Sequence, residues 1–287
     1  MNHIEVLSIT AIIIFTAMQN ILKKGYLKSG GNGVFVFSAM TVMTACLFFL
    51  CMSIGNASFS PKVIPYVIGF AGSYTAATVF NFLALRAGPL SLTSLFSSYS
   101  LLIPTAYGLI FDGDEIGLYL VIGFILLAVS LFLINGKGAE GEGRVTPKWL
   151  VFALIALVGN GACSTVQSAQ SRTFEGRYDS LFMVISLAVV SLFLIGMTIV
   201  KERKLILPSL KGGIILMVAA GVSNGVVNLL VMLCSKTIDK SLLFPLISAG
   251  GIVVTWLVSA FIYKEKLSLK QNLGMLLGVA SIVFLNL

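Results

Sequence analysis

Ten long apolar runs follow one another along the chain, at 4–22, 34–54, 63–85, 90–111, 117–135, 149–170, 180–200, 213–234, 241–263 and 269–286. Crossing a hydrocarbon core about 30 Å thick takes roughly 20 residues of helix. Inside that core every backbone N–H and C=O must bond within the protein, so the runs are expected to be helices. Composition agrees. Of 287 residues, 57% are hydrophobic and 10% charged, whereas a soluble domain carries about 25% charged residues. So little polar surface cannot cover a water-soluble fold, and it excludes a disordered chain, which would be polar. The expected fold class is an all-α membrane protein with ten transmembrane helices.

The net charge of +8 does not point to nucleic acid. Lys and Arg fall between the apolar runs and form no continuous basic face. Sorted by loop, 14 of them lie on one side of the expected membrane and 5 on the other. Basic residues accumulate in cytoplasmic loops, so both termini are expected outside. Cys46, Cys51, Cys163 and Cys234 sit in or at the ends of apolar runs with no C-x-x-C pair, and read as small packing residues. The tail Met-Asn-His-Ile-Glu has no basic n-region and no A-x-A-like site follows. The first run is therefore expected to be retained rather than cleaved, and the chain to end with its last helix.

A Gly-rich, charged stretch, Gly136–Lys148, divides the chain near its middle. The halves, 1–140 and 141–287, resemble each other. Pro104…Glu115…Gly123 matches Val254…Glu265…Gly274 at an offset of 150, as Tyr74 matches Asn224 and Arg86 matches Lys236. In the first helix of each half the offset is near 148, where Gln19 matches Gln167. Five helices are an odd number, so the second copy enters the membrane in the opposite sense. The expected architecture is an inverted 5+5 repeat, common among secondary transporters.

Enzymatic signatures are absent. The one histidine, His3, lies in the N-terminal tail, and no H-E-x-x-H or intramembrane acid pair occurs. No catalytic residue, metal or cofactor is expected. The uncharged polar residues inside the runs form faces instead. Thr16, Gln19, Asn20 and Lys23 share one, as do Asn160, Ser164, Gln167 and Ser171. Tyr74, Thr78 and Asn81 form a third, and Asn224 with Asn228 a fourth. Such faces avoid lipid and should meet inside the bundle. A lone Ser or Thr there reads as an interhelical bond, worth on average about 0.6 kcal/mol. The large amides have several bonding positions each, which a solvated cavity satisfies more readily than packing.

Further candidates are less specific. Arg86, Lys236 and Lys23 either meet an anionic group or snorkel to the interface. Tyr99, Tyr107 and Trp256 either stack on a planar solute or pack in the core. The fourth run holds Ser91, Thr93, Ser94, Ser97, Ser98 and Ser100, a density that suits close contact or a pore lining. Gly221-x-x-x-Gly225 and Gly274-x-x-x-Gly278 read as packing within one chain, so a monomer is expected over a dimer.

With Ala84-Leu85, Pro104…Glu115…Gly123 and Lys264-Glu265…Gly274, the whole chain resembles the drug/metabolite transporter superfamily in its ten-helix EamA-type branch. The resemblance implies alternating access around a central cavity, without an ATPase. It also implies a structural role for Glu115 and Glu265, each capping the helix that follows. The superfamily's small multidrug exporters rely on a Glu within the membrane part of the first helix, whereas the one acid of the first run here, Glu5, lies at its very start. The expected location is the plasma (inner) membrane of a bacterium. The expected partners are the bilayer and a small polar metabolite, neutral or zwitterionic and amino-acid-like. The alternatives are exchange of anionic or nucleotide-linked metabolites, a flippase for a lipid-linked group, and a scaffold or receptor subunit.

Overall fold

The computed structural model describes residues 3–52, 58, 60–107, 117–134, 145–234 and 240–284, and all its regular structure is helical. The helices are α1 (His3–Lys28), α2 (Val34–Met52), α3 (Ile64–Ala87), α4 (Leu90–Ser98), α5 (Leu102–Tyr107), α6 (Leu118–Ile134), α7 (Pro147–Thr173), α8 (Asp179–Lys201), α9 (Ile206–Cys234), α10 (Lys240–Phe261) and α11 (Leu269–Phe284). Short 3-10 turns at 61–63, 99–101 and 203–205 adjoin α3, α4 and α9. Among the described residues six segments, built on α1, α2, α3, α7, α8 and α9, are long and apolar enough to cross a membrane. They make the chain an integral membrane protein by length and composition.

The apolar runs become helices where expected, with one change of course. The fourth run, expected as a single helix over 90–111, breaks at 99–101. Pro104 explains the break, because it has no N–H to offer the carbonyl of Ser100 four residues back. Ahead of it Thr93 and Ser97 turn their hydroxyls onto the carbonyls of Pro89 and Thr93, a competing bond that bends helices. Helix α1 runs six residues past its expected end at 22, because Lys23 and Lys24 are taken into the bundle rather than left at its edge.

Contacts between the halves organise the bundle. Helix α3 packs along α7, α1 along α9 and α10, α2 along α8 and α9, and α6 along α11. Between α2, α3 and α8 lies an aromatic core that includes Phe37, Phe70, Phe82 and Phe182, with Tyr26 of α1. A second core joins α4, α7 and α11 around Leu95, Phe96, Trp149 and Met275. Trp149 is fully buried and donates from its indole to Thr93 at 2.9 Å. Gly221 and Gly225 bring α9 against Thr44 and Phe48 of α2.

Candidate functional site

A cavity of about 260 Å³ lies where the middles of α1, α3, α4, α7, α9 and α10 converge. From α1 come Thr16, Gln19, Asn20 and Lys23, and from α3 come Tyr74, Thr78 and Asn81. Helix α4 supplies Ser94, Ser97 and Ser98, and α10 supplies Ser248 and Thr255. Asn160 of α7, Asn224 of α9 and Ser100 in the turn after α4 also line the cavity. The faces expected on α1 and α3 therefore meet, each turning residues three and four apart inward. The lining holds one charged group, Lys23, and among the described residues no carboxylate.

The polar groups are bonded across helices. Asn20 donates to Ser94 at 3.1 Å. Lys23 donates to the Asn81 carbonyl at 3.0 Å, and Asn81 donates to Ser97 at 2.9 Å. Asn228 donates to both oxygens of Asn224, which donates to Gln19 Oε1 at 3.0 Å. The hydroxyl of Thr16 is buried with no hydrogen-bond partner among the described residues.

Asn160 reaches the cavity because glycines flank it. A Cβ at Gly159 would stand 2.7 Å from the Ala77 nitrogen of α3. One at Gly161 would stand 2.7 Å from the Ser100 carbonyl in the break after α4. Two backbones thus close on α7 at one level, and the broken helix leaves Ser100 at the cavity wall.

Several expected site residues lie elsewhere. Gln167 is exposed and Ser164 half-buried, and neither lines the cavity. Gln167 lies seven residues beyond Asn160, about 10 Å further along α7 at 1.5 Å per residue, and passes the cavity. Asn228 stands behind Asn224 and orients it. Tyr99 is buried against α6, donating to Ser130, which donates to the Gly274 carbonyl. Trp256 donates to Asn272. Arg86 is exposed at the end of α3, so it does not serve the cavity. Lys236 and Glu115 lie outside the described residues.

Beside the cavity, at the Lys23 end of α1, a buried ion pair ties four helices together. Lys24 lies 3.2 Å from Glu265 and donates to the carbonyls of Leu85 and Gly88 at the end of α3. Glu265 accepts from Leu90 N–H, the first of α4, at 2.9 Å and from the Ser259 hydroxyl. Lys264 takes a left-handed φ of 53°, which turns the chain so that Glu265 points back into the bundle. The Tyr263 hydroxyl donates to the Ile21 carbonyl at 2.9 Å.

Glu265 was expected to cap α11. It caps α4 instead, because α11 has its own capping box in which Ser268 and Gln271 exchange bonds. The sequence reading also missed Glu202, whose carboxylate accepts from Val34, Phe35 and Val36 at the start of α2. No local spacing announces either cap, since each acid is more than 160 residues from the helix it serves.

A second recess, lined by Tyr66, Tyr107, Thr165, Ser168 and Arg172, lies toward the C-terminal end of α7. Arg172 stands to Lys24 as Gln167 stands to Gln19 in the two halves. Yet Lys24 is buried, whereas Arg172 is exposed.

No family model matches the chain, and no curated protein does. Its structure is similar to a solved crystal structure of a protein, over 99% of this chain and 96% of that one, with a TM-score of 0.57 at 14% identity. At that identity the likeness shows a shared fold and nothing further.

Proposed function

We propose that the chain is a secondary transporter that moves a small polar metabolite by alternating access, in keeping with its resemblance to the EamA-type drug/metabolite transporters. The observation that carries this reading is the central cavity, with polar groups from six helices of both halves turned into it at mid-helix. A scaffold has no need of such an interior, and a polar lining in a membrane bundle is costly unless it is used.

The helix contacts support the inverted repeat. With α7, α8 and α9 as counterparts of α1, α2 and α3, the α1–α9 contact corresponds to α7–α3, and α2–α9 to α8–α3. The α1–α10 contact corresponds to those of α7 with α4 and α5, while α2–α8 and α6–α11 map onto themselves. Matched positions nonetheless sit in different surroundings, as Lys24 and Arg172 do. Two states that exchange the roles of the halves require that asymmetry in each. In this reading the Lys24–Glu265 end is closed, and by the distribution of basic residues it is the cytoplasmic end.

Amides and hydroxyls suit neutral or zwitterionic solutes. Lys23 favours a second reading within transport, an anionic metabolite. Counterflow in proteoliposomes containing the purified chain tests transport itself. Uptake of a labelled solute should be driven by the same unlabelled solute inside. Rates equal to those of protein-free vesicles across neutral, zwitterionic and anionic panels would sink the proposal.

A further inference from the structure

We infer that the cavity is built for a small hydroxylated monocarboxylate, whose carboxylate bridges Gln19 and Lys23 on α1. This rests on reading the cavity as a substrate site, and it narrows the substrate to one charge class.

Hydrogen bonds around the cavity run in a fixed direction. Asn228 donates to Asn224 and Asn224 to Gln19 Oε1. With its oxygen engaged, Gln19 has its NH2 group left over, and no described residue accepts from it. Lys23 gives one N–H to Asn81, which gives its own to Ser97, which gives its own to the Thr93 carbonyl. An ammonium carries three donors, so two remain. Gln19 and Lys23 are four residues apart, with Cβ atoms about 5–6 Å from each other on one helix face. The relays thus leave Gln19 and Lys23 each with donors to spare among the described residues, one group charged, on one face of α1 at the cavity wall, where a carboxylate giving one oxygen to each would bridge them. On the same face Asn20 has given its NH2 to Ser94. Its oxygen is left to accept from a substrate hydroxyl.

Charge separates the anion from the zwitterion. Lys23 has no carboxylate partner among the described residues of the lining, and an uncompensated charge within a membrane bundle is costly. A monoanion cancels it. An amino acid brings a second ammonium with no carboxylate to meet it, and a dicarboxylate leaves one charge over. Size limits the rest of the molecule. The cavity, at about 260 Å³, falls below the range of roughly 300–1,000 Å³ typical of pockets for drug-sized ligands. That volume suits a small metabolite.

The test measures thermal unfolding of the purified full chain against three matched sets. Each set holds a hydroxy acid, its primary amide and the amino acid of the same skeleton: lactate, lactamide and alanine; glycerate, glyceramide and serine; mandelate, mandelamide and phenylglycine. Ionic strength and chloride are held constant. At least one acid should bind ten-fold or more tightly than its amide and its amino acid. Lys23→Met should weaken that acid ten-fold or more, and Lys23→Arg, which keeps the charge, should hold it within three-fold. If Lys23→Met does not fold, Gln19→Ala replaces it, with the same preference for acid over amide expected to shrink. Preference for the amide or amino acid, acid binding unchanged by Lys23→Met, or no binding of any acid would overturn the inference. An acid that binds but shows no counterflow would sink the transport reading alone. Counterflow of a neutral solute with no acid binding would sink the carboxylate site alone.

Discussion

The Lys24 ammonium and the Glu265 carboxylate lie 3.2 Å apart and hold opposite ends of one turn. Lys24 takes the last carbonyls of α3, where a helix end is partially negative, and Glu265 takes the first N–H of α4, where it is partially positive. The pair therefore closes the α3–α4 corner from outside it, with one ion from α1 and the other from the segment after α10.

Removing one partner leaves the other buried and uncompensated. Glu265→Gln and Lys24→Met should each lower unfolding stability by about 3–5 kcal/mol. Combining Lys24→Met with Glu265→Gln should cost much less than their sum, because no charge is stranded. A double-mutant cycle read by unfolding in detergent checks this, and additive losses would refute the pairing.

Glu202 holds three N–H groups at the start of α2. Loss of a helix cap costs about 0.5–2 kcal/mol. Glu202→Ala should fall at the upper end of that range, because three donors lose their acceptor together. Glu202→Gln should lose less, since the amide oxygen still accepts. Equal unfolding midpoints for the three proteins would contradict the cap.

Crowding at Gly159 and Gly161 differs in kind. At Gly159 the obstacle is backbone of α3. At Gly161 part of it is the end of the Ile103 side chain, 2.5 Å from an added Cβ. Overpacking costs about 1–3 kcal/mol. Gly159→Ala and Gly161→Ala should each lose stability, and combining Gly161→Ala with Ile103→Val should recover only a part of the loss, because the Ile103 Cβ at 2.6 Å and the Ser100 carbonyl at 2.7 Å remain. Unfolding midpoints of the three variants decide.

Exposure of the α7 face predicts labelling. In a background without reactive cysteines, Gln167→Cys should react with a membrane-impermeant maleimide and Gln170→Cys, fully buried, should not. The reagent should act from the side opposite the Lys24–Glu265 pair. Labelling of position 167 from the Lys24 side alone would reverse the assignment of the closed end.

Arg86, exposed and outside the lining, separates the cavity from the surface. Arg86→Ala should leave ligand affinity within two-fold, whereas Asn81→Ala should weaken it several-fold through Lys23, which Asn81 holds. Equal effects in a binding titration would place the relevant charge at the surface.

Much was legible in the sequence because hydrocarbon allows so few solutions. Apolar runs of spanning length must be helices, and helical spacing alone put Thr16, Gln19, Asn20 and Lys23 on one face and Tyr74, Thr78 and Asn81 on another. The fourth run, expected as one helix, instead breaks ahead of Pro104. What no local pattern carries is how far along its helix each polar face meets the others. Gln19 and Gln167 match in sequence, yet one lines the cavity and the other is exposed, because close packing at Gly159 and Gly161 brings α7 to the cavity at Asn160. The same holds for charge. Lys23 and Lys24 are adjacent in the chain, but a helix turns about 100° per residue, so one faces the cavity and the other faces Glu265. That carboxylate and Glu202 each hold a helix of the other half. Tertiary structure alone decided these pairings, because a buried ion takes whatever partners the assembled bundle brings within reach.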